Sequence, residues 1–214
     1  MKSPIRQAAD RYRRWKNLYY YSLGKAALDP AYPAVAALFR GSSRPLLDLG
    51  CGMGLLTAYL RASGHAAHVI GIELDAEKVG IAREVLGEAD AEFHPGDAFS
   101  FPPHQGDVVM LDVIHYFDDA QQQALLVRIA ESLAPGGIAA IRFTLNERHW
   151  RFALTRAEEW FVHRSGWIPT TGHNFPTADE MTRPFAASGC EVTLEPMWGC
   201  TPFNSYLLVA RRLA

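Results

Sequence analysis

A parallel α/β sheet with helices on both faces is the fold predicted by this 214-residue sequence. Three observations predict it. From Leu46 onward, short apolar runs alternate with helical periodicity, the rhythm of strand, crossover helix and parallel strand. The stretch "LLDLGCGMGLL", residues 46 to 56, closes the first run with Gly50, Gly52 and Gly54 at alternate positions, as a bare strand-to-helix turn requires. Gly64 and Pro135-Gly136-Gly137 then fall where helices must stop.

The elements follow in order. Leu46 to Leu49 reads as the first strand, and Leu55, Leu56, Tyr59 and Leu60 as one face of the helix behind it. His68 to Ile72 is strand two; Asp75 caps a helix that buries Val79, Ala82, Val85 and Leu86. Ala91 to His94 is strand three and Val108 to Val113 strand four. A helix with Leu125, Leu126, Ile129, Ala130 and Leu133 on one face leads to strand five, Ile138 to Leu145. In residues 146 to 176 the rhythm breaks: no strand-like run occurs, large aromatics abound, and Trp150, Leu154, Ala157 and Phe161 lie at helical spacing. Thr177 to Glu180 reads as a capping box whose helix Pro184 should kink or shorten. Cys190 to Met197 and Tyr206 to Arg211 make a final pair of strands in a hairpin. Seven strands result, in one domain: an N-terminal helical cap (1–43), a core (44–145), an aromatic insert (146–176) and a closing segment (177–214).

Composition narrows the function classes. With 49% hydrophobic and 21% charged residues the chain has material for a sizeable core, and a formal net charge of -2 supplies no field for a nucleic acid. No run of about 18 apolar residues predicts a membrane span, and no apolar signal core follows the basic N-terminus, so a cytoplasmic location is expected. Cys51, Cys190 and Cys200 are too scattered for a disulfide framework or a zinc site and read as reduced thiols. His163 and His173 lack the short helical spacing of a metal pair, and no metal is expected.

Chemistry concentrates at the glycine turn. A dinucleotide fingerprint, G-x-G-x-x-G, would place its third glycine where Leu55 stands. Asp48, two residues before Gly50, would repel a pyrophosphate and favour a cation. A positively charged ligand is the expectation.

D-L-G-C-G-x-G, residues 48 to 54, resembles the first motif of class I S-adenosylmethionine-dependent methyltransferases. The resemblance continues through "VIGIELD", with Glu73 nineteen residues after Gly54, "GDA" at 96 to 98, "DVVMLDVIHYF" at 107 to 117 and "LAPGG" at 133 to 137. It covers about residues 44 to 145, more weakly the last two strands, and implies a Rossmann-like seven-stranded sheet binding S-adenosylmethionine. It further implies that Asp48, Gly50, Cys51, Gly52 and Gly54 surround the cofactor and that Glu73 holds its ribose hydroxyls. Asp97 would lie near its adenine amino group, Leu74 and Ala98 would also contact the cofactor, and Asp112 would shape its methionine end through the backbone. Cys51 reads as a thiol packed beneath the ligand. Lys25 or an N-terminal arginine is a candidate for the methionyl carboxylate, against a plain solvated side chain.

The methyl acceptor belongs beyond the end of strand four. His115 stands there, either as the base, since an unperturbed imidazole pKa of about 6.5 suits deprotonation of a phenol near neutrality, or as a packed histidine closing the pocket. Tyr116, Trp150 and Trp160 are candidates for the acceptor wall, with Phe161, Trp167, His163, Arg164 and His173 also in the insert. "DVIH" stands where nucleobase and glutamine amine methyltransferases carry Asn-Pro-Pro-Tyr, so the resemblance implies C- or O-methylation of a small or medium aromatic or acyl-type acceptor. "YYYSLGKAALDPAYPAV" is also similar to methyltransferases of aryl-polyene and xanthomonadin-type pigment pathways, which implies a hydroxybenzoyl-type ring. Met1 to Lys16 carries six basic residues against Asp10, with Tyr12, Trp15 and Tyr19 on one expected helical face. Its charge is a solvated face or a dock for an acidic acyl carrier protein. The rival readings are a non-catalytic cofactor-binding partner and an aminopropyl transferase.

Overall fold

The computed structural model describes residues 2–87, 91–153, 174–199 and 203–214. Three helices form the N-terminal cap: α1 (Pro4–Asp10), α2 (Lys16–Leu28) and α3 (Ala31–Leu38). The core alternates β1 (Leu46–Leu49), α4 (Leu55–Ala62), β2 (Val69–Glu73), α5 (Ala76–Leu86), β3 (Ala91–Pro95), β4 (Asp107–Leu111), α6 (Asp119–Glu131) and β5 (Ile138–Thr144). A 3₁₀ turn, Ile114–Tyr116, lies between β4 and α6. The chain closes with α7 (Ala178–Ala187), β6 (Cys190–Pro196) and β7 (Ser205–Arg212).

One seven-stranded sheet results, in the order β3-β2-β1-β4-β5-β7-β6. The first five strands are parallel; β7 runs antiparallel to β5 and inserts between β5 and β6. The final strands pair as the hairpin reading expects. Strand order reverses between β1 and β4, which opens a crevice above their carboxyl ends where ligands of such sheets bind. Leu46 joins the core under the cap and α4, whereas Leu47 and Leu49 join the core under α6 and α7. With side chains alternating, Asp48 shares the cap face with Leu46, and Arg142 shares it with Ile138 and Ala140.

Four local expectations change. Strand four ends at Leu111 rather than Val113, because Asp112 turns the chain with φ 59. Strand two starts one residue later and takes in Glu73. Tyr12, Trp15 and Tyr19 do not share one helix: α1, capped by Ser3 with Pro4 in its first turn, stops at Asp10. The break lets the fully buried Tyr12 donate its hydroxyl to the Met53 carbonyl at 2.9 Å, inside the glycine turn. Pro184 does not shorten α7, which runs through it to Ala187. The carbonyl it leaves without a helical donor, that of Glu180, accepts a hydrogen bond from Gln123 Nε2 of α6 at 2.9 Å. The expected helical spacing of Leu154, Ala157 and Phe161 lies outside the described residues.

Gln123→Ala should therefore cost about 1 kcal/mol, seen as a melting temperature lower by roughly 2–4 °C. In a Pro184→Ala background, where residue 184 donates its own N–H, the same change should cost almost nothing. Equal costs in both backgrounds would contradict the assignment.

Candidate active site

The glycine turn crosses the top of β1 with Gly50, Gly52 and Gly54 all in the left-handed region, at φ 77, 55 and 80. At Gly54 the restriction is also steric, since a Cβ there would stand 2.6 Å from Leu86 Cδ1. Gly52 differs: nothing among the described residues lies within 4 Å of where its Cβ would be. The turn is packed below and open above, as a seat for a closely approaching ligand must be.

Two carboxylates flank that opening. Glu73, at the end of β2, accepts from the Gly52 amide at 2.9 Å and from the Asp75 amide at 3.0 Å, which pins the turn to the neighbouring strand. Each oxygen keeps a lone pair for a further donor. Asp48 is 3% exposed, and its Oδ2 has no hydrogen-bond partner among the described residues. Burial, and secondarily the nearby Glu73 charge, push the Asp48 carboxyl up to about 7. A buried acid without a partner is costly, and an arriving cation relieves that cost. Cys51 is buried beneath the turn, its Sγ 3.8 Å from the Gly52 carbonyl oxygen, in space left by Gly71. Burial first, then Asp48 and Glu73, hold its thiol protonated, so it packs rather than reacts.

Other predicted residues fall around the same crevice. Leu74 follows Glu73 and is 76% exposed, an apolar surface beside the opening. Asp97 Oδ1 accepts from the Phe99 amide at 2.8 Å, a local turn, and Ala98 is buried behind it. Asp112 makes a two-point ion pair with Arg142: Nε donates to Oδ1 at 2.8 Å and Nη2 reaches Oδ2. Arg142 Nη1 reaches Asp29 Oδ1, and Lys25 Nζ stands 2.9 Å from Asp29 Oδ2. Burial works against the charge of Arg142, but Asp112 and Asp29 outweigh it. Lys25 therefore engages Asp29 in this structure. Among the N-terminal arginines, Arg11 donates to the Val85 carbonyl, Arg13 pairs with Asp10 and Arg14 with Glu84.

His115 is buried in the 3₁₀ turn after β4, its ring 4.4 Å from that of Tyr116 and 6.0 Å from that of Phe175. Its carbonyl accepts from the Asn174 amide, and Gln122 Nε2 ties the turn down through the carbonyls of Ile114, Phe117 and Asn174. Beyond β5 lies a cavity of about 400 Å³ lined by Asn146, Glu147, Arg148, His149, Phe152 and Ala153. Phe175 links it to His115, standing 5.5 Å edge-on from Phe152. Trp150 is 62% exposed, with Arg151 between it and Trp198 at 4.7 and 4.8 Å from the two rings. Trp160, Phe161, His163, Arg164, Trp167 and His173, with Cys200, lie outside the described residues.

Sequence reasoning did not find Arg142, Asp29, Glu147, Trp198 or Tyr206 in these positions. A signal existed for the first: an arginine inside the apolar "IAAIRFTL" needs a buried partner. Glu147 accepts from Tyr206 Oη and Asn204 Nδ2 across a chain separation that no local pattern encodes.

Residues 46–137 match the family model described as a methyltransferase domain. A trans-aconitate 2-methyltransferase of Paracidovorax citrulli is 29% identical over 63% of the chain and 52% of its own length. A ubiquinone biosynthesis O-methyltransferase of Nitrobacter winogradskyi is 31% identical over 74% of the chain and 61% of its own. The chain thus spans little more than half the length of the curated relatives it matches. Among solved structures, the magnesium protoporphyrin IX methyltransferase of Synechocystis, crystallised with bound SAH, superposes with a TM-score of 0.67 at 19% identity, covering 95% of this chain and 93% of that one. The fold is that of this solved class I methyltransferase, and residues 46–137 are similar to the methyltransferase domain family. The open glycine turn, paired acids and exposed Leu74 fit a nucleoside carrying a sulfonium.

The Asp48 carboxyl holds its proton more tightly in the folded chain than in the unfolded one, whose carboxyl titrates near 4. Its contribution to stability is full below that value and is lost as pH rises toward 7. Thermal melts of the ligand-free protein should show the advantage of Asp48→Asn over wild type growing from about pH 4 to about pH 7 and levelling off above. Parallel pH profiles would contradict this account.

Proposed function

We propose that the chain is an S-adenosylmethionine-dependent methyltransferase acting on carbon or oxygen of a small or medium organic acceptor, aromatic or acyl-like. The single observation carrying this reading is the buried, unpartnered Asp48 beside the open Gly52, a site that favours a cation and excludes a pyrophosphate. In this reading Glu73 takes the ribose hydroxyls on its remaining lone pairs, Leu74 and Ala98 cover the base, and Asp97 offers its second oxygen to the adenine amine. The backbone at Asp112, with Gly50 and Cys51, shapes the methionine end.

The cofactor supplies a methyl group already activated on a sulfonium. The protein's task is to exclude water, to set the acceptor in line and to take a proton where the acceptor has one. His115 is assigned the last task, through an imidazole nitrogen. Tyr116, Trp150 and the cavity lined by His149 and Phe152 serve the acceptor, and Trp160 joins them on sequence grounds. His149 and Phe152 in the cavity lining, Phe175 beside them and the O-methyltransferase among the relatives support an aromatic acceptor.

No helix among the described residues is long and apolar enough to cross a membrane, and a cytoplasmic setting belongs to the same reading. So does an acidic carrier protein presenting the acceptor as a thioester. The exposed Lys2, Arg13 and Arg14 would face it, although each already pairs with Asp10 or Glu84.

The test is conversion of S-adenosylmethionine to S-adenosylhomocysteine with a panel of phenols, hydroxybenzoates and acyl thioesters. Turnover with at least one aromatic acceptor is expected, with kcat lowered 10²- to 10⁴-fold in His115→Ala as for loss of a general base. Binding without turnover across the panel would favour a non-catalytic partner. Turnover confined to decarboxylated cofactor would favour aminopropyl transfer.

A further inference from the structure

We propose that Arg142 is a positioning residue for the cofactor: it holds residue 112 in the left-handed backbone conformation that sets the exit of β4 against Gly50, and ties the N-terminal cap to that exit. The proposal rests on the reading of the glycine turn as the cofactor's seat.

Among the described residues Asp112 is the one non-glycine in the left-handed region. Such a conformation persists only where its surroundings over-determine it. Arg142 supplies that determination twice. Its carbonyl accepts from the Asp112 amide at 3.0 Å, and its guanidinium grips both oxygens of the Asp112 side chain. The next residue, Val113, lies over Gly50, filling the space in which a Cβ at that glycine would stand. The shape of the cofactor turn therefore depends on where residue 112 sends the chain.

The remaining guanidinium nitrogen points the other way. Nη1 reaches Asp29, which caps the C-terminal end of α2 and also holds Lys25. Two cations and two anions thus form a neutral chain from the cap helix, through β5, to the end of β4. Asp29 and Arg142 are buried, while the Asp112 side chain keeps 40% of its surface on the open side. A buried ion network is weak ground for stability, because well-packed apolar residues in its place are often as stable or more so. Ile141 and Phe143 show that this strand accepts such residues on its other face. What apolar packing cannot supply is a two-point grip that fixes a neighbouring backbone, and a guanidinium fork can.

The decisive measurement is S-adenosylhomocysteine affinity by titration calorimetry, alongside melting temperature, for wild type, Arg142→Lys and Arg142→Lys/Asp112→Gly. Lysine keeps the charge and loses the fork. Affinity should fall at least tenfold in Arg142→Lys. It should recover at least threefold in the double variant, because glycine adopts the required φ unaided. A merely structural arginine would lower the melting temperature with affinity unchanged, or show no recovery, and either result overturns the proposal. Should Arg142→Lys fail to fold, Asp29→Asn serves. It should weaken binding at least threefold and raise amide exchange in residues 16–28 and 112–117 together; wild-type behaviour in both respects overturns the proposal. A wild-type protein that binds no S-adenosylhomocysteine would instead sink the seat reading itself, and this proposal with it.

Discussion

Burial of an acid with nothing to neutralise it is the constraint around which the rest of this structure is arranged. Asp48 sits mid-sheet, the third residue of a four-residue strand that is otherwise leucine, and Glu73 adds a second carboxylate at the next strand's end. A sequence selected for stability alone would place a leucine or an amide at residue 48. Retaining the carboxylate makes sense where a cation arrives, and the space for one lies above Gly52. The surrounding features follow from that need. Gly71 makes room for Cys51 under the turn, and Tyr12 reaches down from the cap to satisfy the Met53 carbonyl.

The sheet's topology explains why these groups meet. Reversal of strand order between β1 and β4 leaves their carboxyl ends side by side with no crossover helix between them. Into that gap come the glycine turn from one side and the Asp112 turn, with His115 behind it, from the other. Gln122 and Asn174 fasten the latter to the segment leading into α7, while Arg142 fastens it to β5 and to the cap. For the proposed reaction rigid fastening matters, because methyl transfer needs little from a protein beyond alignment and dryness.

Most of the fold was legible in the sequence because it is written in local periodicity. All seven strands lie within two residues of their expected bounds and the helices between them turn the expected apolar faces inward, with local departures where one residue overrules the pattern. Asp112 ends β4 early through a backbone conformation that hydropathy does not encode. The carbonyl freed by Pro184 is rescued by Gln123, a partner 57 positions away in sequence. The cofactor-side candidates were legible for a similar reason, since Asp48 to Gly54 and Glu73 are short motifs tied to one strand each. Arg142 with Asp29 and Glu147 with Tyr206 were not, because each pair is assembled by strand register and cap docking. The Trp198 that stacks on His149 belongs with them, brought over by the β6-β7 connection.

The most direct trial of the central claim compares ligands at one site. Calorimetric titration of the wild-type protein at neutral pH with S-adenosylhomocysteine and, separately, with NADH should give a single saturable site for the first and no heat of binding for the second. Saturable binding of NADH with none of S-adenosylhomocysteine would contradict the account.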